Sequence, residues 1–247
     1  MIFLHFFLQL NLAILNHQNN LQFNIRNMLE VKNINKSFEF ITLQSIFMPS
    51  HVNKVNEVLI DISFGLEEEE IVGLRGVNGS GKSTILRIIS GIISQDSGEI
   101  IYKDLTKDKI ALINSNERSF YWRLTAYQNL KFFGSLYGLK KKELDTKIDN
   151  LVEEFKLEKL IQKEFMFLSS GQRKRLLIAR SLLKDPKLLL CDEITSNLDQ
   201  PSKKEIMEII QKVVRKNKTS VLWVSHEKEE LSSFCERELR LENGKVG

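Results

Sequence analysis

Cysteine is nearly missing from this chain: only Cys191 and Cys235 occur among 247 residues. Two thiols cannot build the disulfide framework of a small secreted domain, and they point to a reducing compartment, the cytosol. An excess of one charge is missing as well, since 36 basic residues stand against 32 acidic ones, a formal net charge of +4. So even a balance gives no global positive field for nucleic acid and reads as a solvated, mixed surface. There is no run of membrane-spanning length either. The most apolar stretch, MIFLHFFLQLNLAIL at the start, falls short of the roughly 20 residues a helix needs to cross a bilayer. Repeats, low-complexity tracts and long coiled coils are also lacking. What is present is a chain 42% hydrophobic, long enough to bury one large core or those of two subdomains.

Residues 1–27 form an extension ahead of the rest, and two readings of it stand. One is a secretory leader, weakened by the lack of a basic start and of a small-residue cleavage site; the other is upstream sequence ahead of a true start at Met28. From there LEVKNINKSF predicts a strand followed by a turn at Asn33–Lys36, and the irregular stretch Phe40–Glu57, carrying Pro49 and a solvated His51, an insertion loop or extended hairpin. VLIDISFGL predicts a further strand, Glu67–Glu70 a charged turn, and IVGLRG a short buried strand. KSTILRIISGI is then a helix, and residues 117–184 are a helix-rich second subdomain. DPKLLLCDE, KKEIMEIIQKVVRK and TSVLWVSHE alternate strand, helix and strand, which predicts an α/β fold with a parallel sheet.

The sharpest motif is GVNGSGKST, Gly76–Thr84, a G-x-x-x-x-G-K-S/T loop between a strand and a helix. Gly79 and Gly81 let the backbone curl so that N–H groups face phosphate oxygens, with Gly76, Asn78 and Ser80 completing the cradle. Lys82 neutralises the β- and γ-phosphates, Ser83 places a hydroxyl on Mg²⁺, and Thr84 reaches another phosphate oxygen. LLLCDE delivers Asp192 to the metal's outer shell and Glu193 to an attacking water. Alone, that acidic pair would be an ordinary strand edge; beside the phosphate loop it is chemistry. LSSGQ, with Ser169, Ser170, Gly171 and Gln172, caps a long helix and exposes donors at its positive end. One nucleotide does not need two anion sites on one sheet, so two surfaces are expected to meet across it.

GVNGSGKST, LSSGQ, LLLCDE, SNLD and VSH in this order resemble the ATP-binding subunit of ABC transporters over residues 28–247. That resemblance implies a P-loop NTPase fold with a parallel-sheet core, an N-terminal antiparallel β subdomain and an inserted α-helical subdomain. It also implies a head-to-tail dimer, with itself or a sister subunit, in which LSSGQ of one copy closes on ATP held by the other. Ser196, Asn197, Leu198 and Asp199 match the loop that links the two sites, with Asp199 at the nucleotide. His226 matches the histidine that holds the γ-phosphate and the attacking water, and Phe38 the aromatic that stacks on adenine.

Three departures stand out. DEIT replaces DEPT with both carboxylates kept, and LSSGQ replaces LSGGQ. Where the strand KIALINS should end in a metal-binding glutamine, Ser115 stands instead, able to reach Mg²⁺ only through water.

The expected partner is an integral membrane permease driven from the cytoplasmic face, with no nucleic acid. RLTAYQNLKFFGSLYGL resembles ATPases of multidrug and polysaccharide-type exporters. The competing class is a soluble ABC ATPase of repair or translation, but such proteins carry paired cassettes, coiled coils or zinc cysteines, none of which occurs here. The stretch ERSFYWRL, Glu117–Leu124, has three readings: a docking surface for the permease, subdomain core, or a base-stacking patch. Docking is the expectation, because Arg and aromatics concentrate at interface centres.

Overall fold

The structure is a computed structural model that describes residues 27–40, 54–115 and 119–247. Of the sequence expectations, the extension up to residue 26, the middle of the 40–57 stretch with His51, and the start of ERSFYWRL lie outside those residues.

Three strands make an antiparallel sheet in the order β2-β1-β4, from β1 (Asn27–Phe40), β2 (Lys54–Glu67) and β4 (Ser97–Tyr102). The turn expected at Asn33–Lys36 is not one. β1 runs straight through, with its register against β2 shifting on both sides of Ile34. Asn33 adopts φ 49° and donates from its side chain to Asp61 (2.6 Å). An asparagine suits such a left-handed position in a bulge, and that is why a turn-like sequence stays in the strand. On the far side of residues 41–53, Ser37–Phe40 pair with Lys54–Glu57, so the ends of that stretch are a hairpin.

The second sheet has six strands in the order β5-β6-β7-β3-β8-β9. β3 (Ile71–Arg75), β5 (Ile110–Asn114), β6 (Leu188–Asp192), β7 (Ser220–Val224) and β8 (Arg237–Glu242) are mutually parallel; β9 (Lys245–Val246) turns back antiparallel. Both faces are covered, hence the unbroken apolar runs. The side-chain period of two splits them: Leu188, Leu190, Leu222 and Val224 pack with α1 (Lys82–Ile89) and the antiparallel sheet. Leu189, Cys191, Val221 and Trp223 pack toward the opposite layer, α2 (Ala126–Leu136), α3 (Lys141–Glu154), α4 (Ser170–Leu182), α5 (Gln200–Asn217) and α6 (Lys228–Phe234).

This topology decides where chemistry can occur. Parallel strands end on one edge, so whatever follows β3, β5, β6 and β7 is gathered there, the usual ligand-binding edge of an open α/β sheet. Gly76 follows β3, Ser115 follows β5, Glu193 follows β6 and His226 comes just after β7.

Candidate functional site

Between β3 and α1 the chain makes a glycine-rich loop, residues 76–81. Gly79 and Gly81 take φ of 82° and 105°, a region open to glycine without strain. Gly81 precedes α1 with no side-chain cap, and no acidic residue stands in the first turn, so the helix's positive end is left for an anion. Lys82 is buried. Its ammonium curls back to donate to the carbonyls of Gly76 (2.8 Å) and Val77 (3.0 Å) and lies 3.9 Å from Glu193 Oε1. Ser80 Oγ is buried and has no hydrogen-bond partner among the described residues.

Asn78, Gly79, Gly81, Lys82, Ser83, Thr84, Ser115, Asp192 and Glu193 line a single cleft of about 490 Å³, together with Val58 of β2. Burial pushes the Asp192 carboxyl above its ordinary range, a hydrogen bond with Ser83 pulls it back, and the Glu193 charge adds to the rise. Glu193 itself sits at φ 49°, its N–H donating to the Val224 carbonyl (3.1 Å). This turn at the strand end swings the carboxylate to 3.7 Å from His226 Nδ1. The side chain is 31% exposed, so water can reach it.

Ser115 lines the cleft, and its carbonyl accepts from the Lys174 ammonium of α4 (3.4 Å). α4 is also the helix that LSSGQ opens. Ser169 and Gln172 form a reciprocal capping box there: Ser169 Oγ accepts from the Gln172 N–H (3.3 Å) while Gln172 Oε1 accepts from the Ser169 N–H (3.0 Å). Ser169 and Ser170 are exposed, and no LSSGQ residue lines the cleft. Asp199 caps α5, its carboxylate accepting from the Ser202 N–H (3.3 Å). Phe38 is exposed on β1 with the Lys36 ammonium 5.3 Å from its ring centre, and it too is not among the cleft residues.

ERSFYWRL divides within itself. Phe120 is buried, stacked on Phe165 (4.4 Å) with the Arg180 guanidinium 4.3 Å above it. Tyr121 and Trp122 are 49% and 44% exposed. Arg173 stands 4.8 Å from the Trp122 ring, and buried Asn129 fixes the Tyr121 backbone by accepting from its N–H and donating to its carbonyl. Cleft-lining Val58, Asn129, and the buried charges Lys174, Lys203 and Glu230 were not singled out by sequence reasoning; only their tertiary partners mark them.

Residues 59–196 match the ABC transporter family. The chain is 34% identical over 201 residues to the ABC transporter ATP-binding protein NatA of Bacillus subtilis (strain 168), covering 78% of this chain and 81% of that one. It is 31% identical over 231 residues to the methionine import ATP-binding protein MetN of Clostridium acetobutylicum, covering 89% and 67%. Its fold superposes on cbiO1 from Clostridium perfringens, part of the ABC transporter complex cbiONQ, with a TM-score of 0.76 at 23% identity, over 90% of this chain and 87% of that one.

Proposed function

The chain belongs to the ABC transporter family as an ATP-binding, ATP-hydrolysing subunit, and on that premise we propose that it drives a separate membrane permease, in the export direction. The observation that carries the reading is the single cleft shared by the phosphate loop, Ser115, Asp192 and Glu193. ATP phosphates bind the Gly76–Thr84 backbone and Lys82. Glu193 takes the proton of a water as its oxygen attacks the γ-phosphorus; the bond to the β–γ bridging oxygen breaks, and ADP and phosphate leave. His226, beside Glu193, holds the water and the γ-phosphate. Phe38 stacks on adenine.

The donor set suits Mg²⁺, which takes one or two carboxylates and completes its shell with phosphate and water. Ser83 and Asp192 would hold it, with Ser115 acting through water, and it would neutralise charge on the phosphates. Ser169, Ser170, Gly171 and Gln172 lie outside the cleft, the two serines exposed and the other two half-buried; they close on ATP held by a second subunit, with Asp199 in the linking loop, which supports a head-to-tail dimer. Residues 28–247 form the ATPase domain, and about 117–184 its helical part.

Among the described residues no helix is long and apolar enough to cross a membrane, consistent with a peripheral subunit at the cytoplasmic face. Exposed Tyr121 and Trp122 support docking at the permease. Export rests on the resemblance of Arg123–Leu139 to exporter ATPases. Isolation of the tagged chain from detergent-solubilised membranes tests the partner. Co-elution of a multi-span membrane protein supports the reading, and recovery only with nucleic acid or ribosomes overturns it. In inverted vesicles, ATP-driven accumulation of cargo marks export and its absence with active uptake in right-side-out vesicles marks import.

A further inference from the structure

Lys203 lies in the first turn of α5, just past the Ser196–Asp199 loop, with its backbone N–H donating to the Asp199 carbonyl (3.0 Å). Its side chain is only 8% exposed. A buried ammonium requires a partner, and Lys203 Nζ donates to both carboxylate oxygens of Glu227. Glu227 directly follows His226, and its own N–H donates to Ser225 Oγ (3.1 Å). His226 is therefore flanked by two residues that hold each other.

A second tie runs alongside. Thr195 Oγ1 donates to the Glu230 carboxylate (2.9 and 3.0 Å), and Trp223 Nε1 donates to the same carboxylate (2.7 Å). All three side chains are buried. Residues 195–203 and 223–230 are thus fastened at two places, and His226 lies between the fastenings. The imidazole itself is 53% exposed, so packing on the ring does not fix it; its backbone must.

We infer that Lys203, acting through Glu227, is a positioning residue that holds His226 toward Glu193 and links it to the Ser196–Asp199 loop. The inference rests on the reading of His226 as the γ-phosphate histidine. Glu227 is 36% exposed, so it rehydrates when its partner is removed, and Lys203→Met is expected to fold.

The experiment uses the purified full chain and measures ATP hydrolysis, equilibrium ATP binding and thermal unfolding. Lys203→Met lowers kcat on the order of ten-fold, because displacing a catalytic group by a fraction of its reach is costly, while ATP affinity stays within about two-fold. Glu227→Gln, a neutral isostere, does the same and serves as the second variant. Lys203→Arg retains most of the activity, and the exchanged pair Lys203→Glu with Glu227→Lys recovers most of what either single change loses. A normal kcat in both single variants overturns the inference, as does a loss of kcat, affinity and melting temperature in step that the exchanged pair does not recover. His226→Ala separates the two levels. If it is inactive while Lys203→Met is normal, only the positioning role fails; if it hydrolyses ATP at full rate, the role of His226 fails and the inference with it.

Discussion

Glu193 Oε1 stands 3.7 Å from His226 Nδ1, brought there by adjacent strand ends. The same oxygen is 3.9 Å from the Lys82 ammonium, so one carboxylate sits between the lysine of the glycine-rich loop and the imidazole that follows β7. Its left-handed backbone, held by the bond to Val224, aims it there. Strain of this kind persists where neighbouring contacts over-determine it, and it is common at catalytic positions.

The two loop glycines are predicted to respond differently to alanine. At Gly79 the backbone is left-handed but a Cβ would meet nothing within 4 Å, so Gly79→Ala costs about 1 kcal/mol. At Gly81 a Cβ would lie 2.7 Å from Leu59 Cδ2 and 3.0 Å from the Val58 carbonyl, which adds overpacking of about 1–3 kcal/mol. Urea denaturation of the two variants gives the ranking, and ATP affinity should fall further for Gly81→Ala.

ERSFYWRL should separate into core and surface. Phe120→Ala removes a buried ring stacked on Phe165 and should destabilise the fold by about 3–5 kcal/mol. Tyr121→Ala and Trp122→Ala, at half-exposed positions, should cost under about 1 kcal/mol. They are expected to release the subunit from membranes with basal hydrolysis intact, as read by membrane fractionation beside a turnover assay. Equal loss of stability in all three variants would make the whole stretch core.

Ser115→Gln lengthens the side chain of a residue that lines the cleft and whose backbone carbonyl is held by Lys174. It is predicted to change the stimulation of hydrolysis by the permease while ATP affinity stays the same. A large change in affinity, measured by titration of the isolated subunit, would contradict that role.

Asp96 gives a pH signature. The Lys36 ammonium, then the Ser37 hydroxyl and N–H, hold its carboxyl down from 3.8 to about 2. Because the folded value lies below the unfolded one, its contribution to stability is present above pH 3.8 and is lost as the pH falls through about 2. Asp96→Asn should therefore melt lower than the parent at neutral pH, and the difference should shrink as the pH drops from 3.8 toward 2. The bonds to Lys36 and Ser37 also fix the strand end carrying Phe38, so the variant should bind ATP more weakly.

The glycine loop, the strand-end acidic pair and the capped LSSGQ helix were legible as local structure, because their shape is set by contiguous residues and by the switch from strand to helix around them. The alternation of β6, α5 and β7 was legible for the same reason, through apolar periodicity. Lys203 and Glu227 were not: a lysine in an amphipathic helix and a glutamate after a histidine look solvated until the fold buries the lysine and turns it onto the half-exposed glutamate. The bulge at Asn33 escaped because asparagine favours turns and left-handed bulge positions alike, and only the partner strand, with Asp61, distinguishes them. ERSFYWRL resisted a single reading because it has two, Phe120 facing inward and Tyr121 and Trp122 outward.

Glu193 is proposed to activate water on ATP held between two subunits. Glu193→Gln keeps the size of the side chain and removes its basicity, and light scattering on the purified variant with and without ATP, beside a phosphate-release assay, tests it most directly. Hydrolysis is expected to fall on the order of 10²-fold or more, with a dimer that forms with ATP and persists. A variant that stays monomeric with ATP and hydrolyses it at the parent rate would contradict it.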